Sequence, residues 1–475
     1  MSEITGDTIA GATSAPPQTV APPGDNARTS VADTTDAADA ALRLPPVLLP
    51  QDDTSIHATP YRWRIPWRRI CLNALALWAI TRVIFLAFTY LAAGLPQTTA
   101  LPFPGLTQTT PNPNVSFLSV WGRFDTEWYL SIAQQGYARP EQLAFFPFYP
   151  ALIRLCSFLL GGNLLLTALV ISNLATLAAL IGLGALVAWE ERDDGASTRA
   201  MILMLAFPFA FFLAAAYTES IFIAIAVFCL LFARQGRWGW ATLFATLAGA
   251  TRPTGVILIL PLAWEWLRQN GLLDLPLWRA TLLHRERHAL VQLGQRAWQA
   301  LRSRWIGLTS LVVIPAFFVL FMAFAWLRFG HPLLVFNVHR DYWGLINAPV
   351  WTTIVRELKA IVAAPYASSV QVIMVLDCVT IAVVALAVVV LWRSLPGIYT
   401  ILMLCLLYLS VAQPTALGAQ VLQAPGRFLL PAIPIFMGLS VKLERRPALA
   451  GALIIIGCAL QGYIALRFLT GVLVE

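Results

Sequence analysis

The sequence predicts an all-α protein that crosses a membrane many times, and three observations carry that prediction. Of its 475 residues, 58% are hydrophobic and only 12% are charged, about half the charged share of a soluble domain. The apolar residues fall into repeated runs, several long enough to cross a hydrocarbon core of about 30 Å at roughly 1.5 Å of rise per helical residue. The 32 Lys and Arg residues, which leave a net charge of +8, are scattered between those runs rather than gathered on one face. Charge placed that way orients helices in a bilayer and does not describe a nucleic-acid surface.

Taken in order, the elements begin with residues 1–60, rich in Ala, Thr, Pro, Asp and Ser and poor in aromatics. That composition predicts a disordered tail, and it contains no signal-peptide pattern. A basic cluster, Arg62, Arg64, Arg68 and Arg69, precedes the first apolar run and should keep the tail in the cytoplasm. The remainder, 61–475, reads as one transmembrane domain. A first span over 70–93 leads outside into a large loop, 95–147. Residues 152–189 return inward as a short dipping helix and a full span, broken at Gly161 and Gly162. Spans at 199–216 and 219–233 follow, then a pair of short helices at 238–251 and 253–267. The arginine-rich segment 268–305 belongs inside. Further spans lie at 306–327, 370–392, 397–412, 426–441 and 448–469, with a second external loop at 328–369. The tally is eleven helices with the carboxyl end outside. Cys71, Cys156, Cys229, Cys378, Cys405 and Cys458 show no paired spacing and read as small core residues, without disulfide or metal.

The stretch 121–150, WGRFDTEWYLSIAQQGYARPEQLAFFPFYP, is the longest aromatic-rich segment that also holds acids, amides and turn residues. It sets Asp125 and Glu127 among Trp121, Arg123, Trp128 and Tyr129. Residues 128–133 read as helical turns closed by Gly136, which places Asp125 near a helix start, where a carboxylate is favoured. A capping Asp on an interfacial helix explains the local pattern as well as a functional site does. Other polar residues bear on the choice. Arg82 falls near the middle of the first span, at a cost of about 2.5–3.5 kcal/mol on insertion scales. It must therefore face protein, water or a ligand anion, with a buried acid as the structural alternative. Glu219, Arg252 and Arg427 fall at outer helix ends, while Asn173 sits inside a span and can bond to a neighbouring helix. Asp125, Glu219, Arg252 and Arg427 at one depth predict a polar cavity facing outside.

Two histidine pairs read more plainly. His284 and His288 are four apart, but arginines flank them and no Glu follows the first His, so a basic surface helix is preferred over a metal site. His331 and His339 either line a pocket or satisfy backbone groups, and the second reading is preferred. No Gly-rich phosphate loop and no Ser-His-Asp order occurs.

The segments FDTEWYLSIAQQGY, AFFPFYP, ISN, AAYTES and ATRPTG follow one another in that order, ahead of FGHPLLVFNVHRDYWG and PGRFLLPAIPIF. Together they resemble the PIG-V family of membrane mannosyltransferases, similar to the enzyme that adds the second mannose in GPI-anchor assembly and to its bacterial relatives. The resemblance covers residues 65–470. It implies a GT-C glycosyltransferase bundle, here in a bacterial plasma membrane, with its active site at the external loops. It also implies a polyprenyl- or dolichyl-phosphate sugar as donor and a catalytic Asp in the first external loop, by position Asp125. Glu127, Trp121, Arg123, Trp128, Tyr129, Glu219, Arg252, Arg427 and Arg82 are then expected around the substrates. Two positions depart from the family pattern: Phe124 stands where Trp commonly precedes the Asp, and Gln134-Gln135 where a Glu-His pair often stands. Both bear on the acceptor side.

The expected chemistry is inverting transfer to a glycan or glycolipid acceptor. One carboxylate acts as base, a role worth ~10²–10⁴-fold, and Arg252, Arg427 or Arg82 offsets the departing phosphate. Trp121, Trp128 and Tyr129 either stack on sugars or lie at the interface. No cofactor is required and no metal is indicated; the expected partners are the lipid bilayer, the lipid-linked sugar and its acceptor. A transporter or flippase is the second function class, suggested by the intramembrane arginine and broken helices. Against it, no internal repeat is visible and the largest polar loop lies outside the midplane. A non-catalytic scaffold is the third.

Overall fold

The computed structural model describes residues 64–96, 113–274, 276, 278, 287–366, 368–416 and 420–472. The chain divides into Met1–Arg62 and Trp63–Glu475, and the described residues all belong to the second unit. The expected tail, Arg62, residues 97–112 of the first loop and His284 lie outside the described residues.

Uninterrupted apolar runs become long helices. The first, α1 (Trp67–Ala93), leads through a 3₁₀ turn (Pro113–Trp121) to α2 (Asp125–Gln135), a helix within the first loop. Next come α3 (Phe148–Cys156) and α4 (Leu164–Glu191). Gly161 and Gly162, with φ of +64° and +79°, make the expected break between these two. Asn163 then starts α4 by accepting from the Leu166 N–H, and Asp193 starts α5 (Asp194–Leu205) by accepting from the Gly195 and Ala196 N–H groups, both standard N-caps. There follow α6 (Glu219–Arg234), α7 (Trp238–Thr251), α8 (Ile259–Gln269), α9 (Arg287–Ser303) and α10 (Trp305–Phe329). The second loop holds α11 (Leu334–Asp341) and α12 (Val350–Ala363). The chain closes with α13 (Ser369–Leu391), α14 (Gly397–Ala412), α15 (Pro425–Leu429), α16 (Ile433–Lys442) and α17 (Pro447–Leu469). Among the described residues the only β-type contact is a bridge between Leu345 and Thr415, which ties the second loop to the segment after α14.

Among the described residues, five helices are long and apolar enough to cross a membrane, namely α1, α4, α10, α13 and α17. The protein is an integral, multi-pass membrane protein, but the remaining expected spans are shorter or broken. The span expected at 199–216 ends at Leu205, because Pro208 supplies no N–H; the chain then turns through a 3₁₀ segment (Ala210–Leu213) before α6. Broken helices at membrane depth need other partners for the freed carbonyls. Gln461 of α17 meets that need, donating to Leu205 O and Phe207 O at 3.0 Å each. The span expected at 426–441 is likewise divided into α15 and α16, at Pro431.

Charged residues collect at opposite ends of the bundle. Glu219 opens α6 and Arg234 closes it, about 22 Å apart along the helix axis at ~1.5 Å per residue. At the Arg234 end, that guanidinium bonds Glu190 at 2.6 Å and Glu265 at 3.0 Å, Arg268 bonds Glu265 at 2.6 Å, and Tyr399 donates to Glu190 at 2.7 Å. This network joins the ends of α4, α6 and α8. The Glu219 end holds the candidate site.

Candidate active site

Two short helices deliver the central pair, and each starts from unusual backbone. Phe124, immediately before α2, has φ +50° and ψ −119°, a conformation that costs a non-glycine residue energy and persists only where the surroundings enforce it. The Phe124 ring packs on Phe468, centroids 5.5 Å apart, and the Asp125 N–H reaches Tyr217 Oη at 3.3 Å. Asp125 is thereby the first residue of α2. Ala424, before α15, sits at φ +45° and ψ 44°. Gly426 follows, packed so closely that a Cβ would fall within the Phe209 ring. This tight turn carries Arg427 inward.

The resulting array alternates in charge. Arg427 Nη1 lies 2.8 Å from Asp125 Oδ2, and Arg427 Nε lies 3.0 Å from Glu219 Oε1. Arg252 Nη1 donates to the same Glu219 oxygen at 2.7 Å. All four side chains are buried, Glu219 completely. Aromatic rings wall the cations: Phe222 and Phe428 lie 5.9 and 5.2 Å from the Arg252 guanidinium, and Tyr217 lies 5.2 Å from that of Arg427. Two anions and two cations balance formally, which is how charges survive burial. The second oxygen of Glu219 has no hydrogen-bond partner among the described residues.

Burial pushes the Asp125 carboxyl above the usual range; Arg427 pulls it down and Glu219 pushes it up. Glu127 is pushed up to about 7 by burial, with Arg123 opposing. Burial also raises the Tyr129 phenol, whose hydroxyl lies 3.3 Å from Thr218 Oγ1.

A cavity of about 690 Å³ opens onto this array, within the size range of small-molecule sites. Of the residues expected from sequence, Asp125, Tyr129, Arg252 and Arg427 line it. Glu219 stands behind, joining the two arginines. The others lie elsewhere. Glu127 does not line the cavity, because residues two apart on a helix do not share a face, and Arg123, ahead of the helix, does not line it either. Trp121 donates to Thr89 at 2.9 Å and packs on Phe85 and Phe468. Trp128 is fully buried and stacked on Phe145 at 5.6 Å, so it backs the cavity wall. Both tryptophans are core residues, neither stacked at the cavity nor exposed at an interface.

Arg82 belongs to a separate hollow of about 330 Å³, not to the acidic array. It bonds Asn173 Oδ1 and lies 5.5 Å from the Phe85 ring. Neither a buried acid nor the candidate site receives it; an amide and aromatic faces do. His339 satisfies both readings made for it, lining the cavity while its Nδ1 donates to Val335 O at 2.8 Å. His331 is exposed and does not line it.

Sequence reasoning missed Thr251, Tyr342, Trp343, Gln413, Gln420 and Gln423, all of which line the cavity. A signal existed for the last three: glutamines recurring in VAQPTALGAQVLQAPGR, a short connection between apolar runs.

No curated protein matches the chain by sequence. Among solved structures it is similar to the crystal structure of ArnT from Cupriavidus metallidurans bound to undecaprenyl phosphate, with a TM-score of 0.44 and 14% identity over 81% of this chain. The chain spans 63% of that neighbour. The family model for mannosyltransferase (PIG-V) matches residues 62–346, more than half of the chain. That stretch includes Asp125, Glu219 and Arg252, whereas Arg427 joins them only through the fold. The chain belongs to the PIG-V mannosyltransferase family.

Proposed function

We propose that the protein transfers a mannose-like hexose from a polyprenyl-phosphate donor to a hydroxyl of a glycan or glycolipid acceptor, with inversion. We place the reaction on the external face of a bacterial plasma membrane. The observation that carries this reading is the buried Asp125–Arg427–Glu219–Arg252 array in the wall of one cavity. Asp125 takes the acceptor proton as that oxygen attacks the anomeric carbon. The bond from that carbon to the phosphate oxygen breaks, and polyprenyl phosphate leaves with the bonding pair. Arg252 and Arg427 stabilise the charge that develops on it. An incoming phosphate competes with Asp125 for Arg427, so donor binding frees the carboxylate to act. A lipid donor is further supported by the apolar part of the lining, including Val370, Leu406, Leu409 and Phe428.

A divalent cation is not part of the proposal. Both site carboxylates face guanidinium groups, and in this reading the arginines supply the positive charge at the departing phosphate. EDTA should leave the rate unchanged.

The test uses purified protein with polyprenyl-phosphate [¹⁴C]mannose and an acceptor. Asp125→Asn keeps the size of the side chain and loses the base; turnover should fall at least ~10²-fold with donor affinity little changed. In the wild type, burial of Asp125 should bring the acid limb of kcat to a pH above the ordinary Asp value of about 3.9, the rate falling as the carboxylate is protonated. Near-normal turnover of Asp125→Asn sinks the assignment. Direct transfer from GDP-mannose, with lipid-linked sugar removed, sinks the donor class. A transporter would leave the sugar–phosphate bond intact.

A further inference from the structure

Helix α12, in the second loop, turns its polar side inward. At about 100° of rotation per residue, its 14 residues divide into three sectors. Thr353 and Glu357 are buried against the protein. Trp351, Ile354, Val355, Leu358 and Val362 form an apolar stripe roughly 100° wide, and all five are exposed, Trp351 at 70% and Val362 at 85%. The third sector is polar, with Thr352, the exposed Lys359, and Arg356, whose guanidinium reaches Thr415 O at 3.4 Å. A contiguous apolar stripe of this kind marks an interaction surface.

Connectivity identifies the partner. On the approach to α12, the Ile346 N–H donates to Pro414 O at 2.9 Å and the Ala348 N–H to Ala412 O at 3.2 Å, which ties it to the end of α14. At the far end of α12, Gln371 in the first turn of α13 donates to Ile361 O at 3.0 Å. The start of α13, a membrane-crossing helix, and the end of α14 lie on one side of the bundle, since Val370 and Gln413 both line the cavity. Helix α12, about 21 Å long at ~1.5 Å per residue, therefore runs across that end of the bundle, where hydrocarbon gives way to headgroups. A helix held there lies flat, its stripe among acyl chains and its basic sector toward phosphates. We propose that α12 takes the lipid of the leaflet on the cavity side as its partner, and that seating in it fixes the segment that carries Arg427. The link is Glu357, whose Oε2 accepts from the Val421 and Leu422 N–H groups at 3.2 and 3.1 Å. Lifting the stripe out of the lipid turns or raises α12 and opens those bonds. The lipid contact is independent of the glycosyl-transfer reading; its bearing on turnover rests on that reading.

The test uses full-length protein, its six native cysteines replaced, in vesicles of phosphatidylethanolamine and phosphatidylglycerol. Nitroxide labels at the positions of Val355, Leu358 and Val362 should be reached by oxygen and shielded from a water-soluble nickel chelate, at least about fivefold more than labels at those of Thr352 and Lys359. Nickel access at all five positions overturns the proposal. So do immobilised stripe labels that neither reagent reaches, which would mean that another protein segment or a second copy covers the stripe. Amide hydrogen exchange reads the link to Arg427. In Leu358→Glu/Val362→Glu the peptide holding Val421 and Leu422 should exchange at least about tenfold faster than in wild type, bonds to a charged acceptor being lost. Thr352→Glu/Lys359→Glu, on the water side, should stay within about twofold. If the double stripe variant does not insert, Val362→Glu alone is read in the same way. Unchanged exchange in an inserted stripe variant overturns the link. With polyprenyl-phosphate mannose, the stripe variant should lose at least about fivefold in kcat/KM for the donor. A wild type that transfers no sugar yet passes the labelling and exchange tests removes the transferase reading and leaves the lipid contact standing.

Discussion

At Arg427 one guanidinium meets two carboxylates through two different nitrogens, Nη1 toward Asp125 and Nε toward Glu219. Lysine would supply the same charge at a single point. Arg427→Lys should therefore raise the donor KM about tenfold, one hydrogen bond to a charged group being worth ~1.5–3 kcal/mol, as read by titrating polyprenyl-phosphate mannose; an unchanged KM would remove Arg427 from phosphate binding. Glu127 illustrates the opposite case, an acid in the same motif that the cavity does not use. Its pKa of about 7 in the folded protein lies above the ordinary 4.5, so the fold favours its protonated form. The associated stability is present below the unfolded value and is lost as pH rises through about 7. Glu127→Gln, permanently neutral, should melt higher than wild type at pH 8 and converge with it near pH 4.5, while retaining activity within about threefold. A melting curve that shifts equally at both pH values would contradict this. Asp125, Glu219, Arg252 and Arg427 were legible as a set because each is a charge at the end of an apolar run. The partners of Trp121, Trp128 and Arg82 were not, since aromatic burial and helix pairing depend on contacts far apart in sequence.

Among the elements, the short segment 420–427 matters beyond its length, because it carries Gln420, Gln423 and Arg427 to the cavity. What holds it is Glu357 of α12, whose Oε2 accepts from the Val421 and Leu422 N–H groups at 3.2 and 3.1 Å. Glu357→Ala would leave both donors buried without a partner, a loss of about 1–3 kcal/mol each. It should lower the melting temperature and reduce turnover together, whereas Glu357→Gln, which keeps an acceptor, should recover most of both. Full activity in the alanine variant would show that the segment is held by other means. Element boundaries were legible where glycine chemistry fixed them, as at Gly161-Gly162, and where an apolar run ended cleanly, as at Gly397–Ala412. They failed where a proline interrupted an apolar run, at Pro208 and Pro431, because hydropathy does not register a missing N–H. The tally of eleven spans rested on apolar runs alone and reduces to five long helices among the described residues.

Across the whole molecule, the two charged ends divide the labour. The Glu190–Arg234–Glu265 network is self-contained, with carboxylates and guanidiniums bonded to one another. The Glu219 end adjoins a cavity. Close to the first of these ends, α9 exposes Leu290, Val291, Trp298 and Leu301 among Arg287, Arg296 and Arg302, as a helix lying on a bilayer surface does. With arginines concentrated inside by the charge rule, α9 should face the cytoplasm and the cavity the exterior. Residue 287, replaced by Cys in a background freed of the six native cysteines, should react with an impermeant maleimide only from the cytoplasmic side. Labelling only from outside would invert the orientation.

The pairing of Arg82 with Asn173 has a consequence for how the protein is made. The two residues are 91 positions apart, and synthesis delivers α1 well before α4. During that interval α1 carries a guanidinium at mid-bilayer depth with no amide to receive it, against an insertion cost of about 2.5–3.5 kcal/mol. The helix can bear this because it has 27 residues and a mean hydropathy of 2.0 in its most apolar window. Arg82 therefore gives α1 a reason to pair with α4 once that helix is in the bilayer, because until then its guanidinium lacks the Asn173 amide that receives it in the finished bundle.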